Sequence, residues 1–178
     1  MPWLLKPLNG NKMRVIKLGA LSVVFLFLLV MGIGLLFPSN VVVSRAITLQ
    51  APPDSVKSLV FSFAKWETWI NQVQPGYALY KEDSLFLGTT KVIRLSLNDS
   101  VQVNQWNMMD GTKMISTVRV LPVRDAKGQA SSTIMQWQFE EKIGWWPWER
   151  MASMMNDKML GTLMEENLAK LQKRVEKK

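Results

Sequence analysis

The sequence predicts an α+β fold in which an antiparallel, curved sheet packs around a long C-terminal helix, preceded by one membrane-spanning helix. Three observations support this. An uncharged apolar run lies near the N-terminus, a block of alternating apolar and polar residues occupies the middle, and a helical period continues from Pro147 to the end. Separate blocks of strands and helices are typical of α+β folds, with the helices on one face of an antiparallel sheet.

The apolar run predicts a transmembrane anchor at residues 18–37. It has 20 residues without a charge, and a helix of that length spans about 30 Å, the hydrocarbon thickness of a bilayer. A cleaved signal peptide is the alternative, but its apolar region is shorter and ends at a small-x-small site, whereas this run continues into "LLFPSNVVV". We therefore expect a basic N-terminus at 1–17, the anchor at 18–37 and one folded domain at 38–178.

The charges that flank the anchor predict its orientation. The four basic residues before it have no acidic neighbour, and basic segments stay in the cytoplasm. They are Lys6, Lys12, Arg14 and Lys17. We therefore expect a single-pass protein of the inner or plasma membrane, with a cytoplasmic N-terminus and a periplasmic or equivalent C-terminal domain.

The folded part begins with a strand and two short helices. Residues 41–50 are rich in β-branched side chains and alternate, as a strand does. The period then changes, because apolar residues from Val56 to Phe63 recur every three or four positions, and Pro53 suits a first helical turn. A second short helix is expected to hold Trp66 and Trp69, before "QPG" ends it.

Residues 76–143 predict a meander of strands. Strands are expected at 77–83, 91–98, 101–109, 112–123 and 131–143, separated by turns such as Asp110-Gly111, a strong hairpin signal. The strand at 101–109 loses its phase between Val103 and Trp106, which predicts a β-bulge there. The last strand places Trp137 and Phe139 on one face and glutamine and glutamate on the other.

A long helix is expected after Pro147. Apolar residues recur there every three to five positions and predict a helix of roughly 40 Å or more. The predicted inner stripe is Trp148, Met151, Met155, Met159, Leu163, Leu168, Leu171 and Val175. Gly161 lies inside this helix, where it costs about 1 kcal/mol relative to alanine and permits a bend or a close contact.

This order of elements resembles the helix-grip fold of the START-like, or SRPBCC, superfamily, and in particular its polyketide cyclase/dehydrase-like branch. The resemblance is carried by "VSRAITLQAPPDSVKSLVFSFAKWETW", residues 43–69, in which a strand, a small residue with proline, a helix and a Trp-x-x-Trp pair follow one another. It covers about three quarters of the chain, and the remainder matches by pattern alone. It implies a cavity between sheet and helix that commonly holds hydrophobic small molecules or lipids, and it implies no reaction.

Composition excludes several kinds of site. The chain has no cysteine and no histidine, which removes thiolate chemistry, the usual base near neutral pH and the commonest metal ligand. No metal or cofactor is expected. The net charge is +8, but beyond the four basic residues before the anchor the chain carries 18 basic and 14 acidic residues, too mild a balance to indicate nucleic acid.

Cavity-lining residues are predicted on the strands and the long helix. Methionine adapts to many ligand shapes, although a methionine stripe is also typical of an ordinary core. The predicted lining residues are Trp106, Trp137, Trp148, Met151, Met155 and Met159. Trp145 and Trp146 lie on the connection before the helix and are predicted either to contact the membrane interface, where indole rings are enriched, or to close the end of the sheet.

We therefore expect a membrane-anchored, non-enzymatic binding domain for a hydrophobic small molecule or lipid, with a cavity of about 300–1,000 Å³. Two alternatives remain open. A protein-interaction or assembly module with a collapsed pocket predicts an exposed apolar patch, although the sequence names no partner. A cyclase- or hydratase-type enzyme needs convergent polar groups inside the cavity, such as Asn104, Arg119 or a carboxylate.

Overall fold

A computed structural model describes residues 10–73, 78–81, 83–126 and 128–177 of the chain. Within these ranges the side chains of residues 10, 11, 78–81, 151, 154 and 156 are outside the description. Met151, one of the predicted cavity residues, therefore has a described backbone but no described side chain.

The elements follow one another in the predicted order. Helix α1 spans Gly10–Leu35, and the folded part begins with strand β1 (Asn40–Leu49), helix α2 (Pro53–Val60) and a 3₁₀ helix at Phe63–Thr68. Six strands follow, and the long helix α3 (Pro147–Glu176) ends the chain. The strands are β2 (Ala78–Lys81), β3 (Ser84–Leu87), β4 (Thr90–Leu97), β5 (Val101–Asn107), β6 (Lys113–Arg124) and β7 (Ala130–Lys142).

The seven strands form one antiparallel sheet in the order β1-β7-β6-β5-β4-β3-β2. Only the pairing of β1 with β7 joins strands that are distant in sequence, and it places the first strand beside the last. Helix α3 packs against β1, and α2 contacts β6 and β7. The fold is therefore an α+β helix grip, as the sequence predicts.

One end of the sheet lies where α1 enters the domain, and we call it the anchor edge. Asn40, the first residue of β1, pairs with Lys142 at the end of β7. Lys113, at the start of β6, pairs with Asn107, which in turn pairs with Lys91. Because paired residues lie at one level of a sheet, these five residues mark the anchor edge.

Aromatic rings fill much of the space between the helices and the sheet. Trp66 stacks on Trp106 with the ring centroids 5.9 Å apart, and Trp69 meets Trp137 edge-on at 5.5 Å. Phe139 contacts both Trp106 and Trp137. The indole N–H of Trp66 donates to the carbonyl of Val60 at 2.7 Å, which fixes the 3₁₀ helix against α2.

The predicted bulge in β5 is wrong. Gln102, Asn104 and Trp106 alternate inward without a slip, while the register shift lies on the neighbouring strand, between Arg94 and Ser96 of β4. The prediction assumed that Val101 and Val103 faced the core. Two amides occupy the inner face instead, and Gln102 Nε2 donates to Asn104 Oδ1 at 2.8 Å.

The hairpin predicted at Asp110-Gly111 is present. Gly111 has a φ of 87°, a backbone conformation that glycine adopts without steric cost. The carboxylate of Asp110 accepts a hydrogen bond from the backbone N–H of Thr112 at 2.8 Å. This bond holds the pKa of Asp110 below its ordinary value. The hairpin lies at the anchor edge, beyond Asn107 and Lys113.

Candidate functional site

An apolar cavity of about 250 Å³ lies between α3 and the inner face of the sheet. Its walls are mostly aliphatic and aromatic side chains, and the polar groups are amides and a hydroxyl. It is lined by Ile70, Gln72, Leu87, Thr90, Trp106, Met108, Met114, Trp137, Phe139, Leu160, Leu163, Met164 and Asn167. Its volume is smaller than the predicted 300–1,000 Å³, because Trp106 and Trp137 stand inside the space that a wider cavity would occupy.

The cavity has a definite position in the sheet. Three of its lining residues lie near the anchor edge on strands, namely Met114 on β6, Thr90 on β4 and Leu87 on β3, and Met108 directly follows β5. Leu87 and Thr90 form the last pair between β3 and β4 at that end. The cavity therefore lies toward the end of the domain at which α1 enters.

Asn167 closes the cavity on the helix side. Its side-chain oxygen accepts a hydrogen bond from the backbone N–H of Asn71 at 2.8 Å, and its amide nitrogen donates to Gln72 Oε1 at 3.0 Å. It is 2% exposed. These bonds connect α3 to the segment after the 3₁₀ helix, and they therefore fix the position of Asn167 in the cavity wall.

Two of the tryptophans predicted as lining residues are on the strands. Trp106 and Trp137 both line the cavity. The indole N–H of Trp106 donates to Ser116 Oγ at 2.9 Å, whereas that of Trp137 is buried and has no hydrogen-bond partner among the described residues. A buried donor without a partner costs about 1–3 kcal/mol.

The predicted positions of Trp148, Met155 and Met159 against the cavity do not hold. Their exposed fractions are 55%, 65% and 66%, and none of them lines the cavity. Helix α3 has apolar residues on two faces. The first half of the predicted stripe lies on the exposed face, and its last residues lie on the buried face. The inner stripe consists of Leu160, Met164, Leu168, Leu171 and Val175.

The sequence alone does not identify the face of α3 that lines the cavity, because residues without an apolar side chain interrupt the apolar period on that face. Gly161 and Asn167 interrupt the inner stripe, and both are buried. A Cβ at Gly161 would overlap the guanidinium of Arg45, so glycine permits the close approach of β1 and α3. Arg45 Nε donates to Glu165 Oε1 at 2.6 Å, a bond that raises the pKa of Arg45 above its ordinary value.

Trp145, Trp146 and Trp148 form a stacked group that we call the tryptophan corner. The ring centroids of Trp145 and Trp146 are 4.2 Å apart, and those of Trp146 and Trp148 are 4.5 Å apart. Trp146 is the N-cap residue of α3, and Pro147 occupies the first turn, as predicted. Trp145 and Trp148 are each 55% exposed, so the corner presents apolar surface to its surroundings.

The corner is joined directly to the end of α1. Arg150 Nη1 donates to the carbonyl of Phe37 at 2.9 Å and lies 3.4 Å from that of Gly34. Gly34 is buried against Pro147, and a Cβ there would overlap the proline ring. Arg150 therefore gives the carbonyl of Phe37 a donor and adds a second one to that of Gly34, which also accepts from the N–H of Phe37 at 3.3 Å. It holds the last turn of α1 against the first turn of α3.

A polar groove of about 810 Å³ lies beside the corner, at the anchor edge. Its walls include Glu140, Glu149, Lys113 and Lys142. It is larger than the apolar cavity, but its wall carries charged side chains of both signs, whereas no described charged side chain lines the cavity. The cavity between α3 and the sheet is therefore the candidate ligand site.

The polar residues that an enzyme would need do not converge. Asn104 is fully buried on the inner face, and Arg119 is on the outer face, where it lies 3.5 Å from Gln138. No described aspartate, glutamate, lysine, arginine or tyrosine lines the cavity. Within the described part of the chain, no group of three or more acidic residues is arranged to hold a metal ion.

Comparisons with known proteins show the fold and no more. No protein-family model and no curated protein matches the chain. Among solved structures, a protein from Nitrosospira multiformis is similar with a TM-score of 0.59 and 14% identity over 76% of this chain and 96% of its own.

Two similar structures have named activities. The di-domain ARO/CYC StfQ from the steffimycin biosynthetic pathway has a TM-score of 0.58 and 13% identity, and covers 78% of this chain, which spans 51% of StfQ. A Thalictrum norcoclaurine synthase point mutant in complex with a transition state analogue has a TM-score of 0.54 and 10% identity over 78% and 95% of the two chains. The chain therefore has the helix-grip fold that these structures share.

Proposed function

We propose that this protein is a membrane-anchored, non-enzymatic binding domain for a hydrophobic small molecule or lipid. The observation that carries the proposal is the apolar cavity of about 250 Å³ between α3 and the sheet. At about 30 Å³ for each water-sized group, it has room for about eight such groups. That size suits one hydrocarbon chain segment or a small ring system, and it is too small for a whole membrane lipid.

The absence of charge from the described cavity wall supports binding rather than catalysis. Its described polar residues other than tryptophan are Gln72, Thr90 and Asn167. Ligand sites usually combine apolar walls with a few polar groups that orient the ligand.

Anchoring in a membrane is the second part of the proposal. The segment Lys12–Leu35 is one apolar helix, long enough to cross a bilayer, and almost all of it is exposed in the folded chain. Exposed apolar surface over 24 residues is unfavourable in water and favourable in lipid. The basic residues before it favour a cytoplasmic N-terminus, which would place the domain outside the cytoplasm.

The tryptophan corner would then lie at the membrane surface. Arg150 and Pro147 hold it against the last turn of α1, which is the level at which an anchor leaves the hydrocarbon. Indole rings favour this level because they have an apolar body and a polar N–H. Trp145 is 55% exposed, as contact with headgroups requires.

Substitution of Leu163 by tryptophan tests the cavity. Leu163 lines it, whereas its neighbour Thr162 is exposed on α3 and does not. We expect Leu163→Trp to weaken binding of radiolabelled dodecanoate about tenfold or more, because a cavity overfilled by one large side chain costs about 1–3 kcal/mol. Thr162→Trp is the matched control and should bind as the natural chain does.

The measurement is equilibrium dialysis of the full chain in lipid nanodiscs, with empty nanodiscs as the background. Native mass spectrometry of the same protein, purified from membranes, reports any ligand that remains bound. Equal saturable binding by both variants would place the ligand elsewhere. An absence of saturable binding by the natural chain would remove the proposal.

A further inference from the structure

The exposed face of α3 carries a row of large apolar side chains, which we call the outer stripe. It consists of Trp148, Met155, Met159 and Leu163. At 100° per residue these positions lie within an arc of about 80°, and they extend about 22 Å along the helix. Their exposed fractions are 55%, 65%, 66% and 40%, so no described part of the chain covers them.

The outer stripe begins at the end of α1. Trp148 belongs to the turn that Pro147 and Arg150 fix against Gly34 and Phe37. If α1 crosses the bilayer, this end of the stripe lies where hydrocarbon meets headgroup. Its other end is Leu163, which also lines the cavity. The stripe therefore connects the membrane end of the molecule with the ligand site.

Charged side chains are fewer along the part of α3 that carries the outer stripe than along the rest of the helix. Residues 147–163 contain four charged side chains, whereas residues 164–177 contain seven. Two of the four are engaged elsewhere, since Arg150 binds the end of α1 and Asp157 pairs with Arg45 at 3.4 Å. The next position in line with the stripe is Glu166, which is exposed. The apolar surface thus ends just past the cavity.

We propose that the outer stripe is the route by which one lipid acyl chain passes between the bilayer and the cavity. This inference rests on the proposed function and adds the source of the ligand and its path. Unbranched methionine side chains suit a moving chain, because they adapt to its shape and are apolar. Entry along the stripe spares the chain the cost of crossing water, about 0.8 kcal/mol for each methylene group.

A second copy of the protein is a less suitable occupant of the stripe. Even at about 250 Å² for each side chain, the upper value for an aromatic residue, the four exposed fractions provide under about 600 Å². A standard interface buries about 800 Å² on each partner. The stripe is also one side chain wide, which suits a hydrocarbon chain.

The test is photolabelling of the full chain in vesicles of phosphatidylcholine that carry a diazirine at the end of one acyl chain. In the natural chain we expect adducts on Met159 and on the cavity residues Met114 and Met164. The double variant Met155→Gln/Met159→Gln should lower cavity labelling roughly tenfold, because two near-isosteric amides interrupt the apolar path. It should bind dodecanoate in the dialysis experiment as the natural chain does.

The matched control is Lys158→Gln/Ala169→Gln, with the same number of glutamines at exposed positions off the stripe. It should label as the natural chain does. Unchanged cavity labelling in the stripe variant, with dodecanoate still bound, overturns the route and leaves the proposed function. Loss of dodecanoate binding in that variant also overturns the route, since the substitutions then act on the cavity itself.

Two further outcomes are decisive. Cross-linked dimers in the natural chain that disappear in the stripe variant would assign the stripe to a second copy and overturn the route. If the natural chain neither labels in the cavity nor binds dodecanoate, the proposed function fails, and the route fails with it.

Discussion

Arg94 illustrates how one side chain joins segments that the sequence leaves unrelated. Its guanidinium donates to the carbonyl of Phe61 at 2.8 Å and to Asp83 at 2.9 Å, and it lies over the ring of Phe63 at 4.8 Å from the centroid. It therefore connects β4 with the segment between α2 and the 3₁₀ helix and with the turn before β3. The sequence shows only an alternating strand at this position, because its partners are 11 to 33 residues away.

We expect Arg94→Ala to lower the free energy of unfolding by about 2 kcal/mol, since a hydrogen bond to a charged group contributes about 1.5–3 kcal/mol. Arg94→Lys should recover less than half of that loss, because an ammonium group cannot reproduce the planar fork. Thermal unfolding of the full chain in detergent, followed by near-ultraviolet circular dichroism, measures both. A lysine variant as stable as the natural chain would contradict this role.

At the scale of an element, α3 shows why a helix can be predicted correctly while the face that lines the cavity is predicted wrongly. The sequence predicts its start at Pro147 and its length, and both are confirmed. The helix has apolar stripes on two faces, and periodicity does not indicate which one faces the sheet. The close contact between Gly161 and Arg45 and the hydrogen bonds of Asn167 decide it, because they require the inner stripe to meet β1 and the segment after the 3₁₀ helix.

Gly161→Ala tests that close contact. A helical glycine costs about 1 kcal/mol relative to alanine, but the new methyl group would displace Arg45 from its partly exposed pair with Glu165. We therefore expect a change in stability of less than about 1 kcal/mol in the natural background. In an Arg45→Ala background the same substitution should raise the melting temperature by about 2–4 °C. Equal effects in the two backgrounds would show that the methyl group never meets Arg45.

At the scale of the whole molecule, the junction between α1 and the domain determines how the cavity is presented. Pro38 and Ser39 alone separate Phe37 from β1, and the contacts of Arg150 with Phe37 and Gly34 restrict movement about this short link. The cavity and the tryptophan corner both lie toward the anchor edge. If α1 crosses a membrane, the ligand site therefore stays near the bilayer.

Arg150→Ala should release this junction. The chain has no cysteine, so Lys17→Cys and Thr162→Cys provide two unique sites for spin labels. We expect the distance distribution between them, measured by electron paramagnetic resonance in nanodiscs, to broaden in the Arg150→Ala variant, because the carbonyls of Phe37 and Gly34 both lose their contact with the guanidinium. Arg150→Lys, which retains one donor group, should broaden it less. Identical distributions in all three proteins would show that packing of Pro147 on Gly34 suffices.

The sequence by itself determined the order of the elements, the apolar N-terminal helix and the hairpin at Asp110-Gly111. These follow from local periodicity, turn chemistry and a family resemblance at residues 43–69, all of which lie within short stretches of chain. Only the tertiary structure decided which face of α3 meets the sheet, how far tryptophan rings fill the cavity, and that Arg150 binds the end of α1. Those features depend on contacts between residues far apart in sequence, such as Arg150 with Phe37, whose energies no local pattern records.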